Sequence, residues 1–167
     1  MISSKVIISL DNLIIHFISE MIEMEEILEN NIEDLEIKVS SVLNRQISEY
    51  GKNFMFDGRE DTCWNSDQGT PQWVRIIFDS TKYITKLQLM FQGGFVGNNC
   101  WLETSTDEEN EKFEKLQDIY PEDTNKLQNF DISTDGVPCK GIKVHFADST
   151  DFFGRITIYQ MKLFVKS

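Results

Sequence analysis

Asp57-Gly58-Arg59-Glu60-Asp61-Thr62 sets three carboxylates, a hydroxyl and a glycine in one short stretch, directly ahead of Cys63-Trp64-Asn65-Ser66. Asp-Gly favours a turn, because glycine takes positive φ at no steric cost and aspartate bonds its own backbone. A loop of this kind is a place to look for a metal or a ligand. The alternative is self-contained: Asp57 and Thr62 bond and cap the loop themselves.

A second grouping could bind rather than coordinate. Gln92-Gly93-Gly94-Phe95 and Asp151-Phe152-Phe153-Gly154-Arg155 carry aromatic anchors, a forked donor and glycines that let a partner's backbone come close. These residues read equally well as structure, with Phe152 and Phe153 plugging one end of the fold and Arg155 bonding loop carbonyls or Asp151. Catalysis has little to work with. The two histidines, His16 and His145, belong to no nucleophile, zinc or phosphate-cradling pattern, and no dinucleotide fingerprint is present. Cys63 reads as a small apolar residue, and Trp64 and Trp73 as enclosed core or loop anchors rather than a sugar platform. The expectation is a protein that is not an enzyme.

The elements that position these residues fall into two unequal parts. Residues 1–37 hold nine acids against Lys5 alone, a net charge of −8 out of −12 for the whole chain. Leu10, Leu13, Ile14, Phe17, Ile18, Met21 and Ile22 recur at three- and four-residue spacing, continued by Ile27 and Leu28, which predicts an acidic amphipathic helix. Asn30-Asn31 breaks it, with a shorter helical piece over residues 32–37. Such a helix either docks on its own domain or binds a partner.

From residue 38 to 167 the period changes to two. Trp73–Phe78, Leu87–Phe91, Trp101–Thr104, Phe113–Ile119, Leu127–Ile132, Ile142–Phe146 and Ile156–Val165 read as short strands. The parity switch between Ile158 and Met161 marks a bulge. No helix is long enough for a crossover, so the expectation is a single mainly β domain, an antiparallel sandwich. The odd cysteine count (Cys63, Cys100, Cys139) is most simply that of reduced thiols, and no stretch reads as a secretory signal or membrane span. Without a basic stripe, neither nucleic acid nor an anionic membrane is an expected partner.

Asp57-Gly58, Thr62-x-Trp64-x-Ser66, Gln72-Trp73-Val74, the strand ending in Gln92-Gly93, and Gly154-Arg155-Ile156 together resemble discoidin-like domains. This is the coagulation factor type C, galactose-binding-like superfamily. Val39–Arg45, Thr62–Gly69, Phe91–Phe95, Tyr120–Asp123 and Thr150–Arg155 resemble, in the same order, the nuclear receptor 2C2-associated protein family within it. The resemblance implies a jelly-roll sandwich and a non-catalytic adaptor of the nucleus or cytoplasm, a transcriptional co-regulator that represses by occupying a protein partner. It implies binding through loop tips, with Gln92, Gly93, Gly94, Phe95, Phe152, Phe153 and Arg155 as the partner-binding set. It also implies Ca2+, which takes six to eight hard oxygens, held by Asp57 or Asp61, Gly58 and Thr62 with a carboxylate from the last strand. Gln160 stands at that position, an amide in place of a charge, which weakens any such site. A carbohydrate-binding module and an adaptor subunit of a larger complex are the rival readings.

Overall fold

The computed structural model describes residues 26–27, 35–107, 112–132 and 138–166. Nine antiparallel strands are found among them. These are β1 (Glu26–Ile27), β2 (Glu36–Val39), β3 (Trp64–Asn65), β4 (Gln72–Phe91), β5 (Gly97–Ser105), β6 (Glu114–Ile119), β7 (Leu127–Asp131), β8 (Pro138–Ser149) and β9 (Thr157–Lys166).

Period-two side chains explain the layering. In β4, Val74, Ile76 and Phe78 are buried while Trp73, Arg75 and Ile77 between them are only partly covered. Alternation on a pleated strand sends the first set to the core and the second to the opposite face. β4 is one 20-residue strand that serves both layers. Its first part pairs with β2 and β8, and its last part pairs with β7 and β9, with a register shift between Ile77 and Lys82. Sequence reading ends one strand at Phe78 and begins the next at Leu87, because the alternation lapses between them; the strand instead carries on through residues 79–86. β8 leads on to β5 and β6, which completes the first layer.

The core lies between the layers. Leu87, Leu89 and Phe91 of β4 meet Ile142, Val144 and Phe146 of β8 and Ile158 and Met161 of β9, all essentially inaccessible to solvent. Phe91 and Phe146 pack edge to face at 6.0 Å. The expected bulge in β9 is present: Met90 lies opposite Gln160 and Phe91 opposite Ile158, so Tyr159 is skipped. Between β2 and β3 two 3-10 turns, Leu43–Arg45 and Lys52–Met55, flank a single α-turn, Ile47–Tyr50, and bring Met55 into the core.

Most of the expected N-terminal helix lies outside the described residues, but its edges require correction. Glu26–Ile27 form β1 and pair with Val165 and Phe164, and Glu36–Val39 form β2 rather than closing a helical leader. Ile37 faces Ile76 and is 3% exposed. Glu36-Ile37-Lys38-Val39 alternates as an edge strand does, and a row of open β4 hydrogen-bonding groups outweighs four residues of helical spacing. The sandwich therefore begins before residue 38. Trp73 requires a second correction. Trp64 is enclosed, but Trp73 lies on the outer face of β4, half-buried beneath the Lys143 ammonium 5.5 Å from its ring.

Candidate functional site: a braced aromatic loop tip

The β8–β9 connection is built around one carboxylate. Asp151 Oδ2 accepts the Phe153 and Arg155 backbone N–H groups at 3.2 and 3.1 Å, and also Arg155 Nε at 2.9 Å. Its Oδ1 accepts Arg155 Nη2 at 3.1 Å. Asp151 N–H donates in turn to Ser149 Oγ, and Ser149 donates to the Arg155 carbonyl. The guanidinium holds the Asp151 carboxyl below the usual carboxylate range, and the carboxylate raises Arg155 in return.

Gly154 closes this turn at φ +77°, where a Cβ would sit 3.0 Å from the Gly69 carbonyl carbon. Gly69 N–H donates to the Phe153 carbonyl at 2.8 Å, tying the β3–β4 loop to this tip. With the backbone fixed from below, the aromatic side chains have nowhere inward to go. Phe152 is 93% exposed and Phe153 53%, their rings edge to face at 5.3 Å.

The β4–β5 loop stands alongside. The Arg155 guanidinium lies 4.8 Å from the Phe95 ring centroid and 5.6 Å from that of Phe153, so it bridges the two loops by cation–π contact. Phe95 N–H donates to the Gln92 carbonyl, and Tyr159 Oη donates to Gln92 Oε1 at 3.4 Å. Gly93 and Gly94 N–H groups donate to Asn125 Oδ1 and Asp123 Oδ1, each at 2.6 Å. All seven residues of the expected binding set thus meet at one cluster of loops. Their roles divide: Phe152 and Phe153 are presented to solvent, while Arg155, Gln92 and the two glycine amides are engaged within the protein. Phe152 and Phe153 do not plug the sandwich, and Arg155 bonds Asp151.

Sequence reading misses Asp123, Asn125 and Gly69 as supports of this cluster. Pro121-Glu122-Asp123 signals a turn, yet nothing local says which other loop its Asx side chains will reach.

The Asp57 loop satisfies itself. Asp57 Oδ1 accepts Arg59 N–H at 3.0 Å and Oδ2 accepts the Thr62 hydroxyl at 2.7 Å. Asp61 is held by Arg59 through Nε and Nη2 at 2.9 and 2.8 Å, which keeps its carboxyl below the usual range. Gln160 sits on β9 opposite Met90. Among the described residues no group of three or more His, Cys, Asp or Glu side chains could hold a metal ion. One carboxylate already doubly bonded, a second neutralised by arginine and an amide in place of a third charge do not fit a Ca2+ cage.

Burial pushes the Cys100 and Cys139 thiols up to about 12, and raises Cys63, which is half-buried. None is a ready thiolate near neutrality. His145, which belongs to no catalytic pattern, stacks on Trp101 with centroids 4.1 Å apart and is half-buried. Burial first, then Lys143, lowers its pKa, opposed by Glu103.

Comparison with known proteins accords with this architecture. Residues 36–158 match the F5/8 type C domain. The nuclear receptor 2C2-associated protein of Xenopus laevis is 48% identical over 124 residues, covering 74% of this chain and 88% of that protein. That of Homo sapiens is 46% identical over 126 residues, covering 75% and 88%. Among solved structures, the F5/8 type C domain of a Bacteroides fragilis protein superposes with a TM-score of 0.68 at 14% identity, covering 82% of this chain and 95% of that one. A family 32 CBM from C. perfringens, solved in complex with galactose, superposes with a TM-score of 0.67 at 11% identity, covering 84% and 98%. The chain belongs to the F5/8 type C domain family and, within it, to the nuclear receptor 2C2-associated proteins.

Proposed function

We propose that this chain is a non-catalytic protein-interaction module that grips its partner with the Phe152–Phe153 loop tip. The observation that carries this reading is the pairing of two exposed aromatic rings with a backbone already immobilised by Asp151, Arg155 and Gly69. Aromatic anchors dominate binding energy in protein interfaces, and a pre-ordered loop loses little entropy on docking. Phe95 and the Arg155 guanidinium continue the surface beside them. The names of the relatives make a nuclear receptor the first partner to test, with this chain as a co-regulator acting in the nucleus or cytoplasm by occupying it.

The test is a titration of purified nuclear receptor 2C2 against the wild-type protein and the double variant Phe152→Ala/Phe153→Ala. Both rings are exposed, so the melting temperature should stay within about two degrees, in keeping with the small effect of surface substitutions. Affinity should fall at least tenfold, since removing one buried aromatic anchor costs 2 kcal/mol or more. Equal binding by both proteins refutes the loop-tip reading. Reproducible, Phe152-independent binding on a glycan array would favour a sugar ligand, as seen for the galactose-bound neighbour.

A further inference from the structure

A second opening lies on the outer face of β2 and β4. It is a pocket of about 320 Å³ lined by Lys38, Val39, Val42, Ile47, Lys52 and Trp73. That volume is at the small end for a ligand pocket and suits individual bulky side chains. Local sequence builds its walls. Lys38 and Trp73 alternate outward from their strands, opposite to the buried Ile37 and Val74. The short α-turn Ile47–Tyr50 buries none of its residues and leaves Ile47 70% exposed beside the indole. One exposed aliphatic residue is ordinary, but an isoleucine on the rim of an apolar pocket is part of a patch.

The charge around this pocket is opposite to that of the chain, which carries −12 overall. Arg75 lies between Lys38 on β2 and Lys143 on β8, and Lys52 stands in the pocket wall. These four cations meet two carboxylates: Glu36 pairs with Lys38, and Glu103 with Lys143 at 3.5 Å. Lys52 donates to the Ile37 carbonyl, which holds its ammonium at the wall. The field of Arg75 reaches Glu36, but the contact there belongs to Lys38. Arg75 makes no ion pair among the described residues, and its Nε is buried without a hydrogen-bond partner. A buried donor left unmatched is unfavourable, so a carboxylate that reaches this guanidinium gains a forked bond without first breaking another.

We infer that this face is a second peptide-binding site, and that its occupant is an acidic segment of a partner protein. One large apolar side chain of that segment fills the Trp73–Ile47 pocket, and a neighbouring carboxylate pairs with Arg75. Charge complementarity selects the occupant. A basic segment would be repelled by Lys38 and Lys52, and a neutral one would leave the Arg75 fork unmatched. The site shares no residue with the Phe152–Phe153 tip, so the two readings stand or fall independently.

Fluorescence anisotropy of the full chain with a labelled peptide tests this. The probe is about ten residues long, with two adjacent leucines flanked by glutamates. Binding should be saturable, and NMR should show the Trp73 indole and Ile47 amide resonances moving with it. Arg75→Gln should weaken it at least about tenfold, as expected for loss of a charge-assisted hydrogen bond. Ile47→Asp should do the same, and because Ile47 is exposed it tests the pocket even where Arg75→Gln disturbs the strand. Phe152→Ala/Phe153→Ala should bind the peptide as wild type does. Equal binding of peptides with serine for leucine or lysine for glutamate would overturn the inference. So would tighter binding of a single-stranded RNA of equal charge, or no saturable binding up to about 1 mM peptide.

Discussion

Asp151 is the residue on which the loop tip depends. One carboxylate, its side chain only 10% exposed, receives two backbone amides and a bidentate arginine. Asp151→Asn keeps the shape and removes the charge, and hydrogen bonds to charged groups are worth about 1.5–3 kcal/mol. Urea unfolding should show a loss of about 1–3 kcal/mol, and Phe152 should become mobile on the NMR timescale; an unchanged midpoint would remove Asp151 from its role. His145 supplies a pH signature. Its folded pKa lies below the unfolded value of about 6.5, so the unfolded chain binds the proton first and stability falls as pH drops through that value. Asp151, also depressed when folded, adds a second loss at more acid pH, below about 4. A His145→Gln variant should lose less stability than wild type between pH 7.5 and 5.5, as followed by thermal melts. Parallel curves for the two proteins would show that His145 contributes nothing to the acid sensitivity.

At the scale of elements, period-two alternation reveals most of the sandwich before any coordinates. Val74-Arg75-Ile76 and Ile142-Lys143-Val144 announce their buried and outward faces residue by residue. What the pattern conceals is pairing across distance. Glu36–Val39 is too short to declare a period on its own, and only the open edge of β4 makes it a strand. The candidate site is half legible in the same sense. Aromatic and glycine residues mark the two loops, but the braces at Asp123, Asn125 and Gly69 arise from tertiary proximity. The Asp57 loop shows the opposite error: its residue types suit a cation, while their geometry has each carboxylate already engaged. Five millimolar CaCl2 should therefore shift the melting temperature by no more than about one degree. A calcium-dependent rise of several degrees, abolished by EGTA, would mean that the loop reorganises into a binding cage.

For the whole molecule, the division of labour is between a sealed interior and four loops that converge beside one pair of phenylalanines. Phe91, Phe146, Leu87 and Ile158 are inaccessible, and the thiols of Cys100 and Cys139 are sealed in with them. Rigid layers let short loops hold a fixed shape. We propose that a protein partner meets this molecule at the loop tips. Amide hydrogen exchange of the full chain, free and in complex with its partner, tests it most directly. Protection on binding should concentrate in residues 67–70, 92–95 and 151–155 and leave the amides of β5 and β6 unchanged. Protection confined to the β5–β6 side, with the Phe152–Phe153 loop exchanging as in the free protein, would contradict the account.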